Sequence, residues 1–434
     1  MINCYGLNGE FHENGMEFQD FQEINTCLSK NISELHEFPV EVIILIINEY
    51  SKRIATNRDI LRMEGAPFLC FYLKKVNMEK QLLLNVGNIE YFNNFVQVEN
   101  EKYIKAQPRG VVCHWMAGNV ITLGIYSVLQ SILCKNSNIL RLSKDCVRPV
   151  YELLKLLEDI SIVYEGNTYS SKVILKNIAI IYFDSKDMYH NSQMSSVADA
   201  RIVWGGEIAV NDISILPKKT TCVDLIFGPK YSFSVFEKSA IESDDFEEYL
   251  ENLVTDIVAF NQKACSSPQV LFLEKSKLSL EVIAQMLSKK FEKVIKRFDN
   301  IDLEQTVAAK IINIRGEYSL CLDKSLYISK GLQYTILIDR EIKLEEAVTG
   351  RTIFIKQVDD ILEVCPLITK KIQTIGIASK NITKTMDFAD KVTAAGVDRV
   401  VKIGYMNFYD SPWDGKLIMS ELVRWCSLNI KGMI

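Results

Sequence analysis

The sequence predicts an α/β protein built on parallel β-sheets. Residues 110–115 are predicted as a buried strand, residues 120–133 as a buried helix and residues 139–142 as a second strand. A strand, a helix and a strand in that order form the building block of a parallel sheet. Two further apolar runs, 177–183 and 200–204, have the length and composition to join the same sheet.

The other elements follow in order along the chain. Residues 1–38 are polar and mixed and are predicted to be an irregular lead-in, and helical patterns run from Pro39 to about residue 95. A domain boundary is predicted near residue 228. Beyond it, the pattern predicts helices at 244–260 and 278–293. It predicts strands at 222–227, 233–236, 270–273, 352–356, 373–378 and 399–403.

Composition narrows the function classes. A chain of 434 residues is long enough for two or three domains, and its net charge of −5 argues against a nucleic-acid binder. The eleven cysteines are scattered without a Cys-x-x-Cys pair, which is typical of reduced thiols in a cytoplasmic protein. The four histidines lack metal-ligand spacing, so no metal site is expected. The apolar run 40–47 is too short to span a membrane.

Cys265 is the candidate nucleophile. It lies in a short polar loop between the predicted helix 244–260 and the strand 270–273, with small neighbours that leave space around its sulfur. A thiol held in this way can form a thioester if nearby donors favour its thiolate. The alternative is a buried structural cysteine, which is the usual role of an arbitrary cysteine.

Two turns at strand ends are candidate ligand sites. Trp204-Gly205-Gly206 follows a strand and precedes a helix, where glycines permit close approach of a cofactor, although such a turn is more often only a turn. Asn119 follows the strand 110–115, and its amide can donate to an oxyanion or cap the next helix.

Several motifs resemble the LuxC-type long-chain acyl-CoA reductases of the aldehyde dehydrogenase superfamily. The run Phe260-Asn261-Gln262-Lys263-Ala264-Cys265-Ser266-Ser267-Pro268-Gln269 is similar to the nucleophile motif of that family. Other similar blocks occur in the family's order at residues 109–120, 138–143, 203–207, 227–230, 396–400 and 411–415. Because the blocks keep their order from about residue 40 to the C-terminus, they are more specific together than any one alone.

The resemblance implies an aldehyde dehydrogenase-like fold with a Rossmann-type cofactor domain and an α/β catalytic domain. The implied domains are a nicotinamide-binding domain at 39–227, a catalytic domain at 228–400 and a segment at 401–434 that returns to the cofactor domain or an oligomer interface. The implied nucleophile is Cys265 and the implied oxyanion donor is Asn119. The residues implied beside the cofactor are Trp204, Gly205, Gly206, Arg141, Ser143 and Lys144, and a cation at 141–144 favours NADPH.

The implied reaction is reduction of a fatty acyl-CoA or acyl-protein thioester to the aldehyde. An acyl-protein synthetase is a candidate partner, and a homo-oligomer is expected. Ile226 stands where hydrolytic aldehyde dehydrogenases carry the glutamate that activates water, so the pattern favours acyl reduction over release of free acid. Two alternatives remain. One is a CoA-acylating aldehyde dehydrogenase working oxidatively, and the other is a cysteine acyltransferase or thioesterase without nicotinamide.

Overall fold

A computed structural model describes residues 1–298 and 303–430. The chain forms two compact units: Met1–Gly228 with Tyr409–Ile434 makes unit 1, and Pro229–Phe408 makes unit 2. The return to unit 1 begins later than the predicted residue 401, because Gly404 and Asn407 are hydrogen-bonded to Asp256 of unit 2. Among the helices of the described ranges, none combines the length and apolarity that a membrane crossing requires.

The elements are numbered in chain order. The strands are β1 Ile2–Leu7, β2 Glu10–Phe18, β3 Val96–Glu99, β4 Lys102–Pro108, β5 Val111–Trp115, β6 Ser137–Arg141, β7 Ser161–Tyr164, β8 Asn167–Ser170, β9 Ile178–Tyr182, β10 Ala200–Trp204, β11 Val223–Phe227, β12 Tyr231–Phe236, β13 Val270–Glu274, β14 Ser325–Ile328, β15 Thr335–Ile338, β16 Thr352–Val358, β17 Ile372–Ala378, β18 Arg399–Lys402 and β19 Val423–Asn429. The helices are α1 Gln22–His36, α2 Val40–Thr56, α3 Arg58–Leu61, α4 Ala66–Tyr72, α5 Lys75–Val86, α6 Leu123–Leu133, α7 Lys144–Lys155, α8 Lys172–Lys176, α9 Met188–Val197, α10 Glu207–Ser214, α11 Lys238–Ile241, α12 Phe246–Val258, α13 Leu280–Val294, α14 Gln305–Leu320, α15 Ile382–Ala395 and α16 Ile418–Glu421. Short 3-10 helices lie at Ile89–Phe92, Ala259–Gln262, Ile295–Arg297 and Ile361–Leu367.

Unit 1 is built on a sheet of order β11-β10-β5-β6-β9-β1-β2, whose first five strands run parallel. Alternate residues of β5 enter different cores. Val112 packs in the core that contains α2 and α6, whereas Cys113 packs in the core that contains α1 and α9. Both faces are therefore covered, as a parallel sheet requires. A smaller antiparallel sheet of order β19-β4-β3 brings the C-terminal segment back to this unit.

The irregular lead-in predicted for residues 1–38 is wrong. These residues form β1, β2 and α1, and β1 pairs antiparallel with both β2 and β9. Asn8 and Gly9, with φ of 55° and 76°, make the turn between β1 and β2. An Asn-Gly pair adopts the left-handed conformation that a two-residue hairpin needs. Ile2 and Cys4 then fill the core beneath the sheet.

Unit 2 is a second layered α/β unit, with strand order β14-β15-β16-β13-β12-β17-β18. Its strands run parallel except β14, which is antiparallel to β15. Helices α12 and α13 cover one face of the sheet, and α14 and α15 cover the other. The predicted α/β class with parallel sheets is confirmed.

Candidate functional site

The carboxyl edge of the unit 1 sheet contains a point where the order of the strands reverses. The chain proceeds from β5 through β6 to β9 on one side, and then continues with β10 and β11 on the other side. Connections therefore leave β5 and β10 in opposite directions and leave a crevice beyond their carboxyl ends, which is where open α/β sheets bind ligands. The ends of β5, β6 and β10 and the turns that follow them contain the oxyanion and cofactor residues of unit 1 that the sequence analysis selected.

The turns after β5 and β6 are packed against each other. The Met116 amide donates to the Arg141 carbonyl at 3.1 Å. A Cβ atom placed on Gly118 would lie only 2.8 Å from the Ser143 Oγ. A side chain at residue 118 would displace the Ser143 hydroxyl and crowd its Cβ, so glycine favours the close packing of these turns.

The two glycines after β10 differ in their surroundings. A Cβ on Gly205 would lie 3.2 Å from the Ala209 Cβ, so Gly205 allows α10 to pack against the strand end. A Cβ on Gly206 would meet no described atom within 4 Å. Gly206 is the N-cap of α10 and faces open space. The helix therefore directs its N-terminal amides toward a space that an anionic ligand can enter.

Asn119 lies in the bend between β5 and α6, and its side chain is exposed. The helix-cap alternative is wrong, because α6 begins at Leu123 and its N-cap residue is Thr122. The turn formed by residues 120–122 separates Asn119 from the helix. This position at the carboxyl end of β5 is compatible with the predicted role as a donor.

The three residues at 141–144 that are predicted beside the cofactor have different environments. Arg141 is buried, its Nη2 donates to the Phe183 carbonyl at 3.0 Å, and its guanidinium lies 5.4 Å from the Phe183 ring centroid. Burial lowers the pKa of Arg141. Ser143 is the N-cap of α7, and Lys144, the first residue of that helix, is exposed. Of these three, Lys144 is the one whose charge reaches solvent.

Trp204 packs beneath the glycine turn. Its indole stacks on Phe227 with a centroid distance of 3.8 Å and an interplanar angle of 7°, and 8% of the residue is exposed. The Gly205 amide donates to the Phe227 carbonyl at 3.2 Å and continues the pairing of β10 with β11 past the end of the strand. Together these contacts fix the position of the turn that leads from β10 to Gly206.

Cys265 belongs to unit 2 and lies in the loop between α12 and β13, as the sequence predicts. The residue is half-buried, and the Ser267 amide donates to the Ala264 carbonyl in a tight turn around it. Because β12, β13, β16 and β17 are mutually parallel, the loop lies at the edge where all four strands begin.

The chain approaches Cys265 through three left-handed residues. Phe260, Asn261 and Gln262 have φ of 55°, 47° and 64°. Gln262 is buried, its Nε2 donates to the carbonyls of Pro268 (2.8 Å) and Thr352 (2.7 Å), and its Oε1 accepts from the Thr352 amide at 2.8 Å. One side chain thus ties both ends of the loop to the start of β16.

The Cys265 backbone and sulfur are each contacted by a neighbouring strand. Ser232 Oγ, on β12, donates to the Cys265 carbonyl at 2.7 Å and accepts from the Thr374 amide at 3.2 Å. Gln373 Nε2, on β17, donates to Cys265 Sγ at 3.1 Å. The sulfur therefore has a neutral amide donor in its own unit.

The buried Asp256 holds the segment Gly404–Asn407, which in turn contacts the Cys265 loop. Asp256 Oδ2 accepts from the Gly404 amide at 2.6 Å, and its backbone carbonyl accepts from Asn407 Nδ2 at 2.7 Å. Asn407 Oδ1 in turn accepts from Ser266 Oγ at 2.8 Å. Burial raises the pKa of Asp256 to about 8, although the hydrogen bond from Gly404 acts in the opposite direction.

A classical cysteine hydrolase needs a histidine near its cysteine, and the two candidates, His114 and His190, have structural partners. His114 is fully buried, with Nδ1 2.8 Å from Ser127 Oγ and Nε2 2.9 Å from Asn138 Oδ1. Burial lowers its pKa to about 4. His190 has Nδ1 2.6 Å from Asp187 Oδ2 and Nε2 3.2 Å from the Gln19 carbonyl. Both ring nitrogens of each histidine are occupied within unit 1, which argues against the thioesterase alternative.

Comparison with known proteins decides the family. The profile of the acyl-CoA reductase (LuxC) family matches residues 35–425. The chain belongs to this family. A long-chain acyl-protein thioester reductase from Aliivibrio fischeri is 25% identical over 393 residues, which cover 88% of this chain and 76% of the relative. The predicted enzyme class, an oxidoreductase that reduces acyl groups, is confirmed.

Solved structures confirm the predicted aldehyde dehydrogenase fold. Aldehyde dehydrogenase 21 from Physcomitrella patens, in complex with the reaction product succinate, aligns with a TM-score of 0.69 at 11% identity and covers 98% of this chain and 97% of its own. Aldehyde dehydrogenase C from Pseudomonas syringae, solved as a mutant with NAD+ and octanal, aligns with a TM-score of 0.65 at 10% identity and covers 100% of this chain and 94% of its own.

The sequence analysis missed the residues that hold Cys265 in place, namely Ser232, Gln262, Gln373, Asn407 and Asp256. Three of them carry a detectable signal, because Ser232, Asp256 and Gln373 interrupt otherwise apolar runs. A polar residue in such a run needs a partner inside the protein. The identity of that partner depends on which strands are neighbours, and the sequence alone does not reveal this.

The buried His114 predicts a pH dependence of stability. The fold holds the neutral imidazole, whose pKa of about 4 lies below its ordinary 6.5, so the unfolded chain takes up a proton first as pH falls. The contribution of neutral His114 to the free energy of unfolding is therefore present above pH 6.5 and is lost as the pH falls toward 4. Between pH 7 and pH 5 the free energy of unfolding should fall by about 2 kcal/mol. Urea titrations at both pH values measure this, and His114→Gln should remove that part of the difference while His12→Gln keeps it. An equal pH slope in wild type and His114→Gln would contradict the assignment.

Proposed function

We propose that this enzyme reduces a fatty acyl thioester, donated as acyl-CoA or acyl-protein, to the aldehyde through an acyl group bound to Cys265. The observation that carries the proposal is the half-exposed Cys265 sulfur in a loop fixed on both sides by Gln262 and Ser232. Such a loop keeps the nucleophile in one place, which catalysis by positioning requires. The name of the Aliivibrio fischeri relative supports an acyl-protein donor.

Acyl transfer needs a thiolate and a stabilised oxyanion. The Cys265 thiolate attacks the thioester carbonyl, a new S–C bond forms, and the donor's own thiolate leaves. We assign the oxyanion donors to the exposed amide of Asn119 and the backbone amide of Cys265. Donors of this kind are worth most when they are fixed before the charge develops.

The carboxyl edge of unit 1 suits a nicotinamide nucleotide. The open space at Gly206, the start of α10 and the start of α7 at Ser143 together offer backbone amides to a pyrophosphate. We assign the 2′-phosphate of NADPH to the exposed Lys144 rather than to Arg141, which is occupied by Phe183. When bound, the nucleotide supplies the hydride that reduces the acyl carbon. The aldehyde dehydrogenase C complex with NAD+ and octanal supports both ligand classes.

The surroundings of Ile226 support reduction over hydrolysis. This residue lies in β11, pairs with Val203 and packs against the core that contains α1. A carbon side chain there cannot activate water, so the acyl-enzyme waits for the reductant. The alternative, a CoA-acylating aldehyde dehydrogenase that works oxidatively, would use the same groups and differs in the net direction of the reaction. An acyl-protein synthetase partner and a homo-oligomer remain predictions.

The first test is whether Cys265 becomes acylated. Wild-type protein incubated with a long-chain acyl-CoA and no nucleotide should gain the mass of one acyl group, and hydroxylamine should remove it. Cys265→Ser should lose the adduct, while Cys365→Ser, which replaces another half-buried cysteine of unit 2, should keep it. Free acid should appear slowly compared with aldehyde formation in the presence of NADPH. Rapid acid release from wild type would favour the thioesterase alternative.

The nucleotide site is tested at Gly206. Gly206→Val fills the open space in front of α10, so NADPH binding measured by fluorescence titration should weaken at least tenfold while acylation of Cys265 persists. Gly316→Val places the same side chain in open space on α14 and should bind normally. Gly205→Val is a poorer probe because its Cβ would contact Ala209. Unchanged affinity in folded Gly206→Val would remove this edge from consideration.

The role of Asn119 is tested by turnover. Losing one oxyanion donor typically costs on the order of a hundredfold in rate, or about 3 kcal/mol. Asn119→Ala should therefore reduce the rate of aldehyde formation by that factor with little change in melting temperature, because Asn119 does not cap α6. Asn94→Ala, an exposed asparagine elsewhere in unit 1, is the matched control. A normal turnover rate for Asn119→Ala would exclude the donor role.

A further inference from the structure

We infer that Gln373 is a catalytic residue of this enzyme, whose side-chain amide stabilises the Cys265 thiolate both when it attacks and when it is expelled. The inference rests on the proposed role of Cys265 as nucleophile. Gln373 Nε2 lies 3.1 Å from Cys265 Sγ, within hydrogen-bonding distance for a sulfur acceptor. The donor therefore touches the reacting atom itself.

The backbone explains why the amide points at the sulfur. In the parallel pairing of β12 with β17, Tyr231 is opposite Ile372 and Ser232 is opposite Thr374. Gln373 is therefore the extra residue of a β-bulge. A bulge turns one side chain out of the regular alternation of the strand, and bulges are frequent beside active sites. The same bulge places the Thr374 amide on Ser232 Oγ, which holds the Cys265 carbonyl.

The side chain of Gln373 is held in place by burial. The residue is 0% exposed, and the Thr374 hydroxyl donates to its Oε1 at 3.5 Å. A buried amide N–H must find an acceptor, and a thiol is a weak one. A thiolate is a much better acceptor, because hydrogen bonds to charged groups are stronger than those between neutral groups. The arrangement therefore favours the charged form of the sulfur.

The contact bears on two bond changes. During acyl transfer the bond from Sγ to the acyl carbon forms and the donor's thiolate leaves with its electron pair. Once the acyl carbon has been reduced, the resulting thiohemiacetal oxyanion re-forms the carbonyl and the C–S bond breaks. Its electron pair returns to Sγ, beside the Gln373 amide. One donor thus stabilises the nucleophile of the first step and the leaving group of the last.

Alkylation of Cys265 tests the inference without requiring catalysis. The rate of iodoacetamide addition to Cys265, followed by peptide mass against pH, should have its midpoint at lower pH in the folded protein than in the denatured chain. Gln373→Met keeps a flexible side chain of similar length but has no donor. It should shift the midpoint upward and slow alkylation at pH 7 about tenfold, as expected when one hydrogen bond to a charged group is lost. Aldehyde release should slow with it.

Gln269→Leu is the control, because Gln269 is also buried at this loop and donates to the Ser267 carbonyl instead of the sulfur. It should lower the melting temperature without moving the alkylation midpoint. If Gln373→Met does not fold, Gln373→Leu also removes the donor without burying a charge, and it should shift the midpoint upward in the same way.

A wild-type midpoint equal to that of the denatured chain would overturn the inference, as would an unchanged midpoint in either folded variant. An alkylation profile that depends on Gln373, combined with no acyl adduct on wild type, would instead reject the proposed function and leave the hydrogen bond in place.

Discussion

The Cys265 loop depends on a left-handed turn that hydrogen bonds to the loop and to the start of β16 stabilise. Residues other than glycine pay about 1 kcal/mol or more for a left-handed conformation, so Phe260, Asn261 and Gln262 together cost roughly 3 kcal/mol. The Gln262 side chain makes three hydrogen bonds to the backbone of Pro268 and Thr352, each worth about 1 kcal/mol. Arg351 adds a bond of 2.8 Å to Asn261 Oδ1. The conformational cost of the turn and the free energy gained from these hydrogen bonds are of the same size. The turn is therefore stable only when these partners are present.

The candidate ligand crevice of unit 1 depends on the order of its strands and not on strained backbone. The crevice at its carboxyl edge arises because β5 has β6 on one side and β10 on the other, whatever side chains the strands carry. Close packing favours small residues at particular turns, for example Gly118 against Ser143 and Gly205 against α10. Solved structures that are only 10–11% identical share this fold.

The parts of the structure that the sequence predicts are those with strong local patterns. The limits of β10, Ala200–Trp204, coincide with the predicted strand because a mostly apolar run, interrupted only by Arg201, is followed by two glycines. Strand β1 is not predicted because it is short and is followed by the polar residues of β2, although Asn8-Gly9 is a hairpin signal between the two strands. The start of α6 was placed too early, since the turn before it is apolar and resembles the helix.

The candidate site shows the same limit. Cys265 and Asn119 could be selected because residue type and motif identify them, whereas Gln373 could not be linked to Cys265. The two residues are far apart in sequence, and their contact depends on the extra residue in β17. A register shift of this kind has no counterpart in hydrophobic periodicity. For Arg141, the position at the end of a strand is predictable, but the hydrogen bond from its guanidinium to the Phe183 carbonyl is not.

The N-terminal hairpin has a consequence for how chains can meet. By pairing with β9, β1 prevents the parallel sheet from ending on a buried, apolar strand, and β2 becomes the outer edge. That edge carries exposed Glu10, Glu13 and Glu17. Charged outer strands discourage edge-to-edge addition of further strands. Glu13 is ion-paired with Arg148, and Glu10 and Glu17 add charge to the outer strand, so the hairpin disfavours growth of the large sheet of unit 1 from one molecule to the next.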